Sequence, residues 1–490
     1  MKEQYKFLAF DLGAESGRAV LGTLAGGKIA LEVIHRFRTE GLMMLGVRQW
    51  DLTRIYEDMI TGLRICAKEH TAELDGIGVD TWGVDFGLVA EDGTVLGNPV
   101  HYRDKRNDGM QEKAFTKVSR EEIYKGTGIQ YLPFNTNFQL LSLVERDSPV
   151  LKAADTLLMM GDVLGYLLSG AKACEYSGAS TTQLLDPHTR KWNDGLIKAL
   201  GIPRRLFLDP VDPGSVIGTL LPEIAATTGL DADIPIIAPC THDTGAAVAS
   251  VPVTDTSKPW AYLSSGTWSL LGAELDEPEV SDASLAASFT NEGGAGGKIR
   301  FLKNIFGLWL VQECRRAWER EGTTLDYATI TTEAADAKPF GPIIDLDDER
   351  LLAPEHMPEM IQTLCKESGQ AVPESRGEIT RCALESLAVK YRDTLADMDG
   401  VLGRKTETLH IIGGGTQNKL LCQMTADACG IPVVTGPIEA TALGNIGVQA
   451  MGVGALASLD ALRETVAASV ELETFIPENT DAWNGLGLKG

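Results

Sequence analysis

Asp243 is the residue around which chemistry can be built. It sits in His242-Asp243-Thr244-Gly245, after the apolar run Ile234-Pro235-Ile236-Ile237-Ala238-Pro239-Cys240 and before the small residues Ala246-Ala247-Val248-Ala249-Ser250. The first run reads as a buried strand ending in a turn, the second as the start of a tightly packed helix. An aspartate is thereby placed at the carboxyl end of a strand, where open α/β sheets bind their ligands. There it can accept a proton from a hydroxyl group. It can equally cap the helix that follows, and the two roles are compatible. An ordinary aspartate, with a pKa of about 3.9, is far too weak to ionise a hydroxyl in advance. In a loose phosphoryl-transfer transition state the proton leaves late, so such a base needs position more than strength.

Other stretches offer anion chemistry. Asp11-Leu12-Gly13-Ala14-Glu15-Ser16-Gly17-Arg18 sets an acid at a strand end and follows it with a glycine turn. Successive turn amides can cradle phosphate, and the aspartate can hold a hydrated Mg²⁺; a plain hairpin would use the same residues. Ser264-Ser265-Gly266-Thr267 repeats the amide-and-hydroxyl turn in the second half of the chain, and two such hairpins could grip a triphosphate from both sides. Gly413-Gly414-Gly415-Thr416-Gln417-Asn418 closes a strand and opens a helix. Glycines there let the backbone approach a flat ring, and a helix N-terminus favours negative charge. The run is not GxGxxG, which argues against a dinucleotide fold.

Two stretches suit a sugar. In Asp80-Thr81-Trp82-Gly83-Val84-Asp85-Phe86 an aromatic ring lies among carboxylates that could accept hydroxyls, although core and turn residues look the same. In Phe301 to Gln312 we expect a strand end entering a helix, with Asn304 and Gln312 within about a quarter-turn on one helical face. A satisfied buried amide pair is the plainer alternative.

The elements that must position these residues follow from pattern. Phe7 to Leu12, Arg18 to Leu24 and Lys28 to Phe37 read as three successive strands joined by glycine turns. A helix starts at Asp51 or Thr53, with Ile55, Met59, Leu63, Cys66 and Ala67 on one face. Gly76 to Val89 reads as a strand, a glycine-bounded corner and a strand, and residues 107–225 carry mostly helical pattern. Pro259 to Leu263, a small-residue turn and Trp268 to Ala273 repeat the N-terminal grammar. Gly377 to Met398 reads as a long helix leading to the strand Leu409-His410-Ile411-Ile412, the glycine run, a helix to Cys429 and the strand Ile431 to Val434. Two halves of like grammar imply a duplicated α/β domain with a cleft between the copies, split at residues 1–250 and 251–490, and expected to close on its ligand.

Composition narrows the class. The chain has 490 residues, 44% of them hydrophobic and 23% charged, and a formal net charge of −24. That balance fits a globular chain with large cores and disfavours a nucleic-acid partner. No run approaches a membrane span, and the opening Met1 to Asp11 is charged too soon for a signal peptide, so a cytoplasmic location is expected, with no membrane partner. Eight scattered cysteines without a CxxC pair read as reduced thiols, and the seven histidines show no zinc spacing.

Taken together, Asp11 to Arg18, Asp80 to Phe86, Tyr102-Arg103-Asp104, His242 to Thr244, Tyr262 to Leu270, Asn291-Glu292-Gly293-Gly294, Leu302 to Leu310 and Gly413 to Asn418 resemble the FGGY carbohydrate kinases. The more specific stretches, DTWGVDF, SSGTWSL and LKNIFGLWL, resemble the branch acting on L-rhamnulose. The resemblance implies two RNase-H-like domains of the actin/hexokinase/Hsp70 superfamily, with mixed five-stranded sheets flanked by helices. It implies transfer of the ATP γ-phosphate, with Mg²⁺, to the 1-hydroxyl of L-rhamnulose. By position, Asp243 would be the proton acceptor; Gly83, His242, Thr244 and Asn304 would bind sugar; Ala14, Glu15, Ser16, Gly17 and Arg18 would hold phosphates; and Thr267, Gln312 and Gly414 would contact ATP. Asp11 would reach the metal through water. Glu15 departs from the family's usual serine, which puts its role in question, and Thr425 stands four residues before Cys429 where some relatives have a cysteine, so no bridge is expected there. The alternatives are a kinase for fuculose or xylulose, a non-catalytic sugar sensor, or an actin-like filament former. A monomer or a homodimer fits equally.

Overall fold

The computed structural model describes residues 2–487 and shows two mixed sheets, each flanked by helices. In the first, the strands run edge to edge as Ser215–Thr219, Pro235–Ala238, Gly76–Thr81, Gln4–Leu12, Ser16–Ala25 and Lys28–Arg38. Gln4–Leu12, Ser16–Ala25 and Lys28–Arg38 form an antiparallel meander. Gly76–Thr81 and Pro235–Ala238 join in parallel. Phe7 to Leu12 is buried at every position, which is what a central strand covered on both faces requires. The edge strand Lys28–Arg38 instead mixes exposed and buried positions.

The second sheet runs Thr290–Gly293, Ile299–Phe306, Trp268–Leu275, Trp260–Ser265, Thr408–Ile412, Val433–Thr435 and Glu473–Phe475. Trp260–Ser265 pairs antiparallel with Trp268–Leu275 and parallel with Thr408–Ile412. Within each sheet lies the same five-stranded core: an antiparallel hairpin whose first strand is also the parallel neighbour of a later strand. Additional edge strands extend both cores. The duplication inferred from the repeated strand-turn-strand grammar is thus realised in topology.

By internal contacts the chain divides into two units. One comprises residues 1–254, 274–301 and 440–469; the other comprises 255–273, 302–439 and 470–490. The first unit therefore takes back two segments from the later half of the sequence. Ala440–Gly452, a helix of small and apolar residues, packs on the Gln4–Leu12 and Gly76–Thr81 strands and on the helix Asp243–Ala249. The approach is close enough that a Cβ at Gly444 would overlap the carbonyl oxygen of Ala246. Ser250 Oγ donates to the Ala440 carbonyl at 2.8 Å and closes the same contact. The run of small residues after Asp243 exists to admit this helix.

Local signals placed most boundaries. Asp51 caps Leu52–Ile65 by accepting from the Arg54 amide, and Ile55, Met59 and Leu63 are buried. Ser375 and Glu378 form a capping box at the start of Arg376–Leu402, and Gly403 ends that helix in the left-handed conformation. Gly76–Thr81 and Phe86–Val89 are strands as expected, but the second pairs with Thr156–Met159 in a small sheet of its own. All eight cysteines are free thiols. Thr425 donates its hydroxyl to the Leu421 carbonyl within its own helix. Among the described residues no helix is long and apolar enough to cross a membrane.

Gly444→Ala should lower unfolding stability by about 2 kcal/mol or more, because the added methyl has only backbone to displace. Urea unfolding of the variant beside wild type checks this; an unchanged midpoint would mean that the helix can shift freely.

Candidate active site

The carboxylates of the first unit converge because parallel strands end together. Asp11 and Asp80 are register partners on Gln4–Leu12 and Gly76–Thr81. Past the end of Pro235–Ala238 the chain continues alongside: the Thr81 amide donates to Thr241 O at 2.8 Å, and Thr81 bridges to His242. Asp243 follows as the first residue of its helix. His242 holds the cap position, without a side-chain cap bond. The capping role that the sequence allowed for Asp243 is therefore not the one it takes.

Asp243 is oriented by its neighbour. Its Oδ1 accepts from Thr244 N at 2.5 Å and from Thr244 Oγ1 at 3.1 Å, and lies 3.5 Å from His242 Nε2. No hydrogen bond from the described residues reaches Oδ2, and the side chain is 31% exposed. One oxygen is held while the other is open to accept a proton. Gly83 stands beside this group: a Cβ there would come to 3.2 Å from His242 Nε2 and from Thr181 Cγ2. Gly83, His242, Asp243 and Thr244 are thus brought together.

The loop before His242 is fixed by a residue that sequence reasoning missed. Glu175, fully buried, accepts from Thr241 N and Oγ1, Ser177 N and Oγ, and Gly178 N, at 2.6–3.1 Å. Burial pushes its carboxyl up, and these donors oppose the shift. Arg300 was missed as well, and Glu292, seen in the sequence only within Asn291-Glu292-Gly293-Gly294, had no role assigned. Arg300 is fully buried; its Nη1 pairs with Glu292 Oε2 at 3.1 Å, its Nη2 meets His242 Nδ1 at 3.1 Å, and its Nε donates to the Gly293 carbonyl at 2.8 Å. Burial alone would raise the Glu292 carboxyl, but Arg300 and then His242 outweigh it and leave it below its usual value. The only sequence signal was an arginine inside the strand Ile299–Phe306, flanked by Ile299 and Phe301.

The acids beside Asp243 are managed differently. Arg18 ion-pairs with Asp11 across the hairpin register. Asp80 is fully buried and accepts from Asn445 Nδ2 at 2.6 Å, and Gln449 Nε2 in turn donates to Asn445 Oδ1 at 2.6 Å. Burial, then the nearby Asp11, holds the Asp80 carboxyl well above its usual range; Asp243 adds to that push. Oδ1 of Asp80 is buried without a partner. The hairpin carrying Ala14 to Arg18 closes through Gly13 N to Ser16 O at 2.9 Å, and Glu15 and Ser16 are exposed at its tip. Glu15 therefore does not occupy the interior of the turn.

Asp85 fixes the Trp82-Gly83-Val84 segment. It is fully buried and accepts from Trp50 Nε1 at 2.7 Å, Trp82 Nε1 and Tyr102 N at 3.1 Å, and Gln139 Nε2 at 2.9 Å. Val84 takes a positive φ of 67°, pinned by Thr181 Oγ1 on its amide and Thr136 Oγ1 on its carbonyl. Asp85 is thus a scaffold acid rather than a group that meets a ligand.

In the second unit, the turn at Thr267 and the helix that carries Gln312 dock through backbone. Gly307 N and Trp309 N donate to Thr267 O, and Leu308 N donates to Gly266 O. This seats the start of the helix Trp309–Arg320 on the hairpin. Oε1 of Gln312 is buried without a hydrogen-bond partner. Gly413, at φ 86°, packs on the Ser265 carbonyl, whereas a Cβ at Gly414 would meet nothing within 4 Å. Two expectations are corrected here. Asn304 lies on the strand Ile299–Phe306, so it shares no helical face with Gln312. The glycine run opens a 3₁₀ turn, Gly414–Gln417, and the helix starts only at Lys419, capped by Asn418. The second error comes from reading the glycines as an immediate helix start; their turn instead consumes several residues.

Models of the FGGY family of carbohydrate kinases match the chain at residues 6–250, its N-terminal domain, and 261–453, its C-terminal domain. The chain belongs to the FGGY family of carbohydrate kinases. It is 46% identical over 479 residues to a rhamnulokinase of Bacteroides thetaiotaomicron, covering 98% of this chain and 97% of that one. It is 41% identical over 468 residues to a rhamnulokinase of Oceanobacillus iheyensis, covering 96% and 97%. Among solved structures, a ligand-bound xylulose kinase from Lactobacillus acidophilus superposes with TM-score 0.76 at 15% identity, covering 98% and 95%. Plasmodium falciparum glycerol kinase with ADP gives 0.74 at 17%, again covering 98% and 95%. These structures share the fold, the two-domain α/β arrangement of actin-like ATPases expected from the sequence.

Burial pushes Asp85 up to about 6, and the Gln139, Trp50 and Trp82 side-chain donors oppose that rise without cancelling it. Its folded pKa exceeds the unfolded value of about 3.9, so its contribution to stability is present below that value and lost as pH rises through about 6. Asp85→Asn removes this term. The variant's deficit against wild type in urea unfolding should therefore be larger at pH 4.5 than at pH 7.5, and an equal deficit at both would refute the assignment.

Proposed function

We propose that the chain transfers the γ-phosphoryl group of ATP to the 1-hydroxyl of L-rhamnulose, giving L-rhamnulose 1-phosphate and ADP, in rhamnose breakdown. The observation that carries this reading is the Asp243 carboxylate, with Oδ1 held by Thr244 and Oδ2 open, beside Gly83 and His242. The rhamnulokinases that align along nearly the whole chain support the choice of ketose. The sugar lies against Gly83, His242 and Thr244 and presents its 1-hydroxyl to Asp243 Oδ2. The proton passes to that oxygen as the bond to phosphorus forms, late in the transition state.

The turn amides of Ala14, Glu15, Ser16 and Gly17, with Arg18, hold phosphates; the Glu15 side chain is exposed at the tip and does not fill the turn. Thr267, Gln312 and Gly414 contact ATP. The partnerless Oε1 of Gln312 suits a donor on the ligand, and the open space at Gly414 suits a close approach by a flat ring. For Mg²⁺ the chemistry of the donors fits. Asp11 would hold the ion through water, with the orphaned carboxylate oxygen of Asp80 on the adjacent strand. When bound, the ion would offset charge on the phosphates. The enzyme acts in the cytoplasm as a monomer or homodimer, on small molecules and without nucleic-acid or membrane partners.

Coupled ADP release across a panel of L-rhamnulose, fuculose and xylulose tests the proposal: turnover should be fastest with L-rhamnulose, and a preference for another ketose would replace the substrate. Asp243→Asn should lose roughly 10²–10⁴ in kcat while retaining sugar binding by calorimetry. Unchanged turnover would remove Asp243 from the role of base. Gly83→Ala should raise the ketose KM more than the ATP KM, because the new methyl presses on His242; parallel changes in both would argue against a sugar contact.

A further inference from the structure

Glu292, Arg300 and His242 form a buried cluster that sugar contact by His242 alone does not require. We infer that Arg300, balanced by Glu292, is a positioning residue that fixes His242 as the neutral imidazole with its proton on Nε2. The inference deepens the kinase reading and rests on it for its catalytic consequence; the tautomer is a property of the chain by itself.

The argument starts from what each group can do. A guanidinium only donates and does not lose its proton. Arg300 Nη2 lies 3.1 Å from His242 Nδ1 with hydrogen-bond geometry. That nitrogen must therefore present a lone pair, and a neutral imidazole with a lone pair on Nδ1 carries its proton on Nε2. Glu292 Oε2 lies 3.3 Å from the same Nδ1 and would favour a proton there. Its Oε2, however, meets hydrogen-bond geometry with neither the ring nor Arg300 Nη1, 3.1 Å away, whereas Arg300 Nη2 does so with Nδ1. A protonated Nδ1 would point its N–H at the guanidinium.

The arginine is itself held in place. Its Nε donates to the Gly293 carbonyl, and Gly293 N donates to Ser180 Oγ at 2.8 Å. The His242 backbone amide donates to Ser177 Oγ at 3.2 Å, so ring and guanidinium are anchored through the same segment, Tyr176–Ser180. Nε2 then faces the side of Asp243 and Gly83. A neutral Nε2–H donates to a sugar oxygen and leaves Asp243 a full carboxylate. An imidazolium at that distance would instead form an ion pair with the base and weaken it.

The test uses full-length protein labelled with ¹⁵N-histidine, with His242 assigned by the signals lost in His242→Gln. At neutral pH the Nδ1 resonance should fall in the unprotonated range and Nε2 in the protonated range; a protonated Nδ1 overturns the inference. Arg300→Lys keeps a charge against Glu292 but cannot reach both the Gly293 carbonyl and the ring. It should shift the His242 signals away from the pure Nε2–H pattern. It should also lower kcat/KM for the ketose about tenfold, the loss of one charge-assisted hydrogen bond, with the KM for ATP unchanged. Wild-type ring signals and ketose kinetics in Arg300→Lys, or a parallel rise in the ATP KM, would overturn the positioning role. If no ketose drives ADP release in wild type, the kinase reading fails while the NMR result still decides the tautomer.

Discussion

Parallel pairing of Gln4–Leu12 with Gly76–Thr81, continued through the bridge from Thr81 to His242, brings Asp11, Asp80 and Asp243 to one end of a sheet. Three like charges in partly dry surroundings repel, and the residues around them answer that repulsion one acid at a time. Arg18 neutralises Asp11. Asp80 is hydrogen-bonded by Asn445 and shifted toward its neutral form by burial and by its neighbours. Asp243 keeps an exposed oxygen and a held one. Of the three, Asp243 is the one with an oxygen placed to take a proton, since Asp11 is ion-paired and Asp80 is buried and hydrogen-bonded.

The same logic explains why so many buried polar groups lie behind the site. Glu175 gathers five donors, Asp85 four, and the Glu292–Arg300 pair reaches the His242 ring. Buried polar groups cost stability unless satisfied, and each of these is tied to backbone that leads to Gly83 or His242. Their stability role and their positioning role are one arrangement: a loop cannot drift if drifting would strand a buried charge.

Packing completes it. The helix Asp243–Ala249 can lie under Ala440–Gly452 only because its residues are small and Gly444 has no side chain. That contact carries Asn445 to Asp80, so a close backbone approach and a hydrogen bond to a catalytic-end acid depend on each other.

Much of this was legible in the chain. Periodicity, glycine turns and capping residues placed the strands and helices, and the repeated strand-turn-strand revealed the duplication, because local geometry depends on near neighbours. The placing of Asp243 at a strand end, and of glycine hairpins in both halves, followed from the same local rules. Residues acting across long separations were not legible. Glu175 and Arg300 carry no spacing signal, and Glu292 stands in a stretch that resembles the family without naming its partner. The return of Ala440–Gly452 to the first unit leaves no local mark in the sequence. Asn304 was misplaced because one residue type fits strand or helix and only sheet pairing decides. The sequence by itself determined which short segments turn, cap or extend, since those choices are made within a few bonds. Only the tertiary structure decided which buried charges meet, because that depends on strand register and on helices arriving from hundreds of residues away.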